Sequence, residues 1–146
     1  MKHLKLLAIL LTAIIATGFT ATYASAADDT HKVVIQVSSA DAGTQKLALN
    51  NAANILKDFG PGNVQVEIVA FGPGLSILTK KGKNTKRVAN MAFNEDLTFS
   101  ACNNTMQNVK KKTGHLPVLT KGVKVVPSGA TQIMKLQEKG YSYLRP

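Results

Sequence analysis

His31-Lys32-Val33-Val34-Ile35-Gln36-Val37-Ser38 is the stretch from which the fold is read. Its β-branched residues suit a pleated, half-buried surface, so it predicts a strand. Asp41 to Phe59 follows, with Ala48, Ala52, Ile55 and Phe59 at helical spacing and Leu49 and Leu56 behind them. Gln45, Lys46, Asn50, Asn54 and Lys57 take the other side. That is the pattern of an amphipathic helix, and Gly60-Pro61-Gly62 stops it. Val64 to Ala70 is a second strand, apolar apart from Gln65 and Glu67. A strand, a helix and a strand in this order imply a βαβ crossover.

The pattern continues downstream. Gly72-Pro73-Gly74 turns the chain, Leu75 to Thr79 predicts a short helix, and Lys80 to Asn84 a loop. Thr85 to Phe93 predicts a helix with Val88, Met91 and Ala92 inward. Leu97 to Ala101 is a third strand, and Cys102 to Thr113 a helix striped by Cys102, Met106 and Val109. Val123 to Val126 is a fourth strand. Ser128 caps a helix running to Lys139, with Ile133, Met134 and Leu136 inward and Gly140 at its end. Tyr141 to Leu144 makes a short final strand. Alternating elements predict an α/β fold: a small open sandwich, its sheet mostly parallel and covered by helices on both faces.

The N-terminus reads differently. Lys2 and Lys5 precede an apolar run of 14 residues, Leu6 to Phe19, and Ala24-Ser25-Ala26 offers small residues for cleavage. This is the three-part pattern of a secretory signal over residues 1–26, and the run is too short for a membrane-spanning helix. The expected product is residues 27–146, one exported and periplasmic-type domain without stable membrane insertion. Losing Lys2 and Lys5 lowers the formal charge from +10 to +8.

The remaining excess is local. Ten basic residues lie between Lys80 and Lys124, opposed only by Glu95 and Asp96. Lys110, Lys111 and Lys112 precede Gly114 and fit the last turn of a helix, where cations complement the dipole. The Lys80 to Arg87 group is expected on the sheet edge that carries Cys102, where Lys80 and Lys81 would attract an anion. Nucleic acid is not an expected partner, because no aromatic residues interleave with the basic ones.

One side chain stands out for chemistry. Cys102 follows the third strand and starts a helix. Functional groups in open parallel sheets gather at the carboxyl ends of strands. Free backbone N–H groups and the dipole at a helix start favour a thiolate. A buried, inert thiol is the competing reading. A lone Cys and 3 His exclude a disulfide framework and a Cys/His zinc module, and Gly72-Pro73-Gly74 is no dinucleotide or P-loop fingerprint. No metal or other cofactor is expected, and neither His31 nor His115 is placed beside Cys102 by sequence.

Val69-Ala70-Phe71-Gly72-Pro73-Gly74-Leu75, Phe99-Ser100-Ala101-Cys102-Asn103-Asn104-Thr105-Met106, Val126-Pro127-Ser128-Gly129 and the segment from Gly140 to Pro146 resemble, in order, the DsrE/DsrF-like family. The resemblance covers essentially the whole chain after the signal. It implies a five-stranded parallel sandwich assembling as a trimer or hexamer. It also implies that Cys102 matches the Cys which, in sulfur-handling members, carries sulfane sulfur as a persulfide. Two departures stand out: Phe71 replaces a His found in many relatives, and the characterised relays of the family are cytoplasmic.

Three readings are therefore expected to compete. In the first, a sulfur carrier or sulfurtransferase-like protein uses Cys102. Gly72, Gly74, Asn103 and Asn104 surround the sulfur, and a partner protein's thiol supplies or receives it. In the second, a non-catalytic oligomer uses Lys80 and Lys81 to bind a small anion or an acidic protein. A packed oligomer with an unreactive Cys102 is a third.

Overall fold

The computed structural model describes residues 30–146, so the signal read over residues 1–26 lies outside the described residues. Strands β1 (His31–Val37), β2 (Val64–Ala70), β3 (Leu97–Cys102), β4 (Val123–Val126) and β5 (Ser142–Leu144) form one sheet. Their order is β4-β3-β2-β1-β5, and every pairing is parallel. The helices are α1 (Ala42–Phe59), α2 (Thr85–Met91), α3 (Asn103–Thr113) and α4 (Gly129–Glu138), with a 3₁₀ helix over Gly72–Leu78. The α/β sandwich expected from the sequence is the one observed.

The strand order decides where the helices go. From β1 to β4 each crossover steps the same way across the sheet. Right-handed connections then place α1, the 3₁₀ helix, α2 and α3 on one face. The last crossover reverses, passing from β4 to β5 beyond β1, so α4 covers the opposite face alone. The packing agrees. Ile35, Val37, Val66, Ile68, Phe99 and Ala101 meet Ala48, Leu49, Ile77, Val88 and Met106 in one core. Val34 and Val69, on the other face, pack with Ile133 and Leu136 of α4. Burying a side chain such as Ile35 or Phe99 contributes about 1.5–3 kcal/mol each.

Several side chains depart from the periodic reading. Gln45, expected outside, is buried; its Nε2 donates to Ser39 O at 3.0 Å and Ser76 Oγ at 2.8 Å, tying α1 to the 3₁₀ helix. Phe59, expected inside, is 42% exposed and packs against His31 at a 40° tilt, with ring centroids 4.1 Å apart. It lies in the last turn of α1, past the ends of the strands it would cover. Met134, also expected inside, is 61% exposed, because α4 turns Gly129, Gln132, Ile133 and Leu136 toward the sheet. Glu67 is buried on the α4 face, where Oε1 accepts from Ser100 Oγ at 2.6 Å and Gln132 Nε2 at 2.9 Å. These bonds replace the water a buried carboxylate would otherwise lose.

Gly74 fixes how the 3₁₀ helix lies on the sheet. A Cβ built on it would sit 2.1 Å from the backbone oxygen of Val37. No rotamer change relieves a clash with backbone. Gly74→Ala is therefore expected to lower stability by about 3 kcal/mol, read as an earlier urea midpoint at an unchanged slope. An unaltered midpoint would show that this close approach is not needed.

Candidate functional site at the ends of β3 and β4

Cys102 is the last residue of β3 and the N-cap of α3. It is paired in register with Val126 at the end of β4, and the N–H of Asn104 donates to Pro127 O at 3.3 Å. Beyond Pro127, Ser128 caps α4, its hydroxyl accepting from Thr131 N at 3.4 Å. Here α3 leaves toward one face of the sheet and α4 toward the other. Neighbouring parallel strands whose helices diverge open a crevice at their carboxyl ends, the usual place for a site in such folds. The thiol of Cys102, 5% exposed, stands at that point.

Opposing effects act on the sulfur. Burial pushes its pKa up. The Thr105 hydroxyl and the backbone N–H groups of Gly129, Thr105 and Asn104 pull it down, and the net is a thiol below its ordinary value. The donors thus come from the starts of both helices. As a neutral thiol, Cys102 makes no side-chain cap hydrogen bond; sulfur is a weak acceptor. The thiolate is what these donors favour.

Thr105 has a second contact that orients it. Its Oγ1 accepts the Gly72 N–H at 2.9 Å. With an acceptor position filled from the 3₁₀ side, its own proton is free to face the sulfur. Gly72 reaches this contact from the left-handed region, at φ 53°. Phe71 beside it holds α4 in place: a Cβ on Gly129 would lie 2.8–3.1 Å from Phe71 carbons. Gly129 therefore lets the start of α4 come close to the sheet end, and its N–H is among the donors to the sulfur.

The residues singled out from sequence divide into two groups. Cys102, Gly72 and the backbone of Asn104 are brought together through Thr105. The Asn103 side chain turns along the helix, its Oδ1 accepting from Gln107 Nε2 at 3.2 Å, and Gly74 is packed on β1. Lys80 and Lys81 stand elsewhere: they line a cavity with Val109, Thr113 and His115, at the C-terminal end of α3. From Cys102 to Thr113 is about 16 Å along a helix, twice the roughly 8 Å screening length at physiological salt. The structure thus groups Lys80 and Lys81 with the far end of α3. His31 lies against Phe59, and His115 Nδ1 contacts Thr113 O at 3.0 Å. Among the described residues, no group of three or more His, Cys, Asp or Glu could hold a metal ion. No helix among them is long and apolar enough to cross a membrane.

Thr105 and Gly129 were not singled out from sequence. Cys102-x-x-Thr105 does carry a signal, because the cap and third helical positions of a helix face each other. Gly129 carries none, since its role depends on which strands are neighbours.

Thr105→Val is expected to lower the thiolate fraction of Cys102 at neutral pH about tenfold, the equivalent of one hydrogen bond to a charged group. Iodoacetamide alkylation followed against pH reads this as a midpoint moved upward; an unmoved midpoint would remove Thr105 from the account. The sign for stability follows. The native pKa is depressed, so the thiolate's contribution is full above the unfolded thiol's value of about 8.5 and is lost as pH falls through the native value. The stability difference between wild type and Cys102→Ser should therefore grow from neutral to alkaline pH. Gly129→Ala is expected to cost about 1–3 kcal/mol and to slow alkylation. Its coupling to Phe71→Ala in a double-mutant cycle should be about 1 kcal/mol or more, and additivity would refute the contact.

Comparison with known proteins agrees with the fold. The solved structure of the protein of unknown function MTH1491 from Methanobacterium thermoautotrophicum is similar at 28% identity and a TM-score of 0.68, covering 80% of this chain and 99% of that one. The ychN protein from E. coli shares the fold at 16% identity and a TM-score of 0.60, covering 80% of this chain and 100% of that one. A search of the curated proteins finds no match. The profile of the DsrE/DsrF-like family matches residues 31–146. With its parallel five-stranded sheet and a thiol at the β3–α3 junction, the chain belongs to the DsrE/DsrF-like family.

Proposed function

We propose that this protein is a sulfur carrier or sulfurtransferase-like protein in which Cys102 holds sulfane sulfur as a persulfide. The observation that carries the reading is the place of Cys102: the last residue of β3 and the N-cap of α3, in register with the end of β4 from which α4 starts, where the neighbouring hydroxyl and N–H groups hold the thiol below its ordinary pKa. The family's link to sulfur relay supports it.

In the loading step, the Cys102 thiolate attacks the outer sulfur of a donor such as thiosulfate. The new S–S bond forms as the donor's S–S bond breaks, and sulfite leaves with the electron pair. Cys102–S–S⁻ remains, carrying the negative charge the thiolate brought. In the unloading step, a partner protein's thiolate attacks the outer sulfur and becomes the persulfide, and Cys102 returns to thiolate. No net oxidant or reductant is consumed. The thiolate-favouring donors serve both steps, raising the nucleophile fraction in the first and making Cys102 a better leaving group in the second. A cavity of about 340 Å³ lined by Gly72, Pro73, Thr105 and Lys112 gives room for a donor beside Thr105.

The proposal extends to the protein's setting. Residues 1–26 are read as an export signal, and a mature N-terminus at Ala27 is expected on sequencing. Self-association as a trimer or hexamer is proposed, supported by the exposed Phe93, Val125 and Met134; light scattering on the purified protein reads it. The central test is intact-mass analysis after incubation with thiosulfate or polysulfide. Wild type is expected to gain one sulfur atom, removable by thiols, and Cys102→Ser none. Equal gain by both, or gain by neither, overturns the reading.

A further inference from the structure

A second site lies at the end of α3 away from Cys102, and we propose that it binds an amphipathic anion: a carboxylate or sulfonate head on an apolar body. The cavity there has a volume of about 540 Å³, within the roughly 300–1,000 Å³ typical of small-molecule sites. Val109, Pro117 and Val118 provide apolar walls, and Lys80 and Lys81 line it with ammonium groups. No carboxylate lines it, so neither cation is neutralised from within the site.

The walls are fixed by backbone pairing. Lys80 N–H donates to Val118 O at 2.9 Å and Thr120 N–H to Leu78 O at 2.8 Å, around an antiparallel bridge between Thr79 and Leu119. These contacts pin the segment after α3 against the end of the 3₁₀ helix. A ligand therefore meets a formed surface and orders little chain on binding. Val118 is 61% exposed and its neighbour Leu116 40%, leaving apolar surface in water for a ligand body to cover.

The polar groups decide the head. Thr79 Oγ1 donates to Ser76 O at 3.0 Å. Thr113 Oγ1 lies 3.0 Å from both Val109 O and His115 O. His115 Nδ1 contacts Thr113 O at 3.0 Å, and since a carbonyl only accepts, that nitrogen carries the hydrogen and spends it there. The hydroxyl protons and this ring N–H are thus used within the protein. What remains for a ligand is two lysine ammonium groups and the His115 Nε2, an acceptor in this tautomer, beside an apolar wall. A neutral polar molecule finds few donors, whereas an anion with an apolar body matches both halves.

Calorimetric titration with decanoate tests the assignment. Wild type is expected to bind one equivalent saturably, and decanol at the same concentration not to bind. Lys80→Gln/Lys81→Gln should weaken decanoate about tenfold or more, as loss of about 1.4 kcal/mol requires, and Val118→Glu should abolish it. Lys110→Gln/Lys111→Gln removes equal charge outside the cavity and should leave binding unchanged. Cys102→Ser should also bind normally, which separates this site from the persulfide reading. The proposal is overturned if wild type does not bind decanoate, if decanol binds as well, or if the Lys80/Lys81 variant binds undiminished. An acidic peptide that binds where decanoate does not would likewise overturn it in favour of a protein partner.

Discussion

The structure around Cys102 depends on one reversal of winding. Four strands are laid down in a single direction, and the chain then turns back from β4 to β5 on the far side of β1. Had it continued in the same sense, right-handed connection would have put α4 beside α3 on the same face. The start of α4 would then have no reason to face the end of β3. The reversal makes β3 and β4 neighbours whose helices diverge, and the N–H groups at both starts point into the gap. The pairing of Cys102 with Val126 and the Asn104–Pro127 hydrogen bond hold that gap closed enough for both to reach one sulfur.

The groups that favour the thiolate are all neutral dipoles: a hydroxyl and backbone N–H groups. Such donors do not titrate near neutrality, and at contact distance salt does not screen them as it screens separated charges. Phe71 fits this arrangement. A His at this position would carry a charge that changes within the physiological range. Phe71 instead supplies a rigid ring against Gly129. The same residues that pack the crevice thus set its chemistry, and the Gly72–Thr105 bond belongs to both.

Much of the fold was legible because its periodicities are strong. β2 and β4 run over the residues expected, and α3 was displaced by only one, Cys102 serving as its cap. Side-chain placement failed where tertiary packing overrode the pattern. Gln45 is drawn inward by acceptors on the 3₁₀ helix, and Met134 is left out because a helix alone on its face need bury only a narrow stripe. The place of Cys102 at a strand-to-helix junction was legible from sequence. Gly129 was not, because it lies 27 positions away in the chain and meets the thiol only through strand order.

Strand order also changes the meaning of the basic segment. In sequence, Lys80 to Lys124 is one charged stretch around the thiol. In space α3 divides it. Its start faces the sulfur, where the dipole favours negative charge, and Lys110, Lys111 and Lys112 occupy its last turn, where the dipole favours positive charge. Lys80 and Lys81 join that second end by the pairing of residues 78–80 with residues 118–120. A single helix thereby separates the two electrostatic tasks. On the proposed function, an anion built covalently on Cys102 would meet dipoles at one end, and a diffusing anion would meet ammonium groups at the other. Of the α3 lysines, only Lys112 also lines the cavity beside Thr105, so the division is between the two ends of the helix and not between two sealed sites.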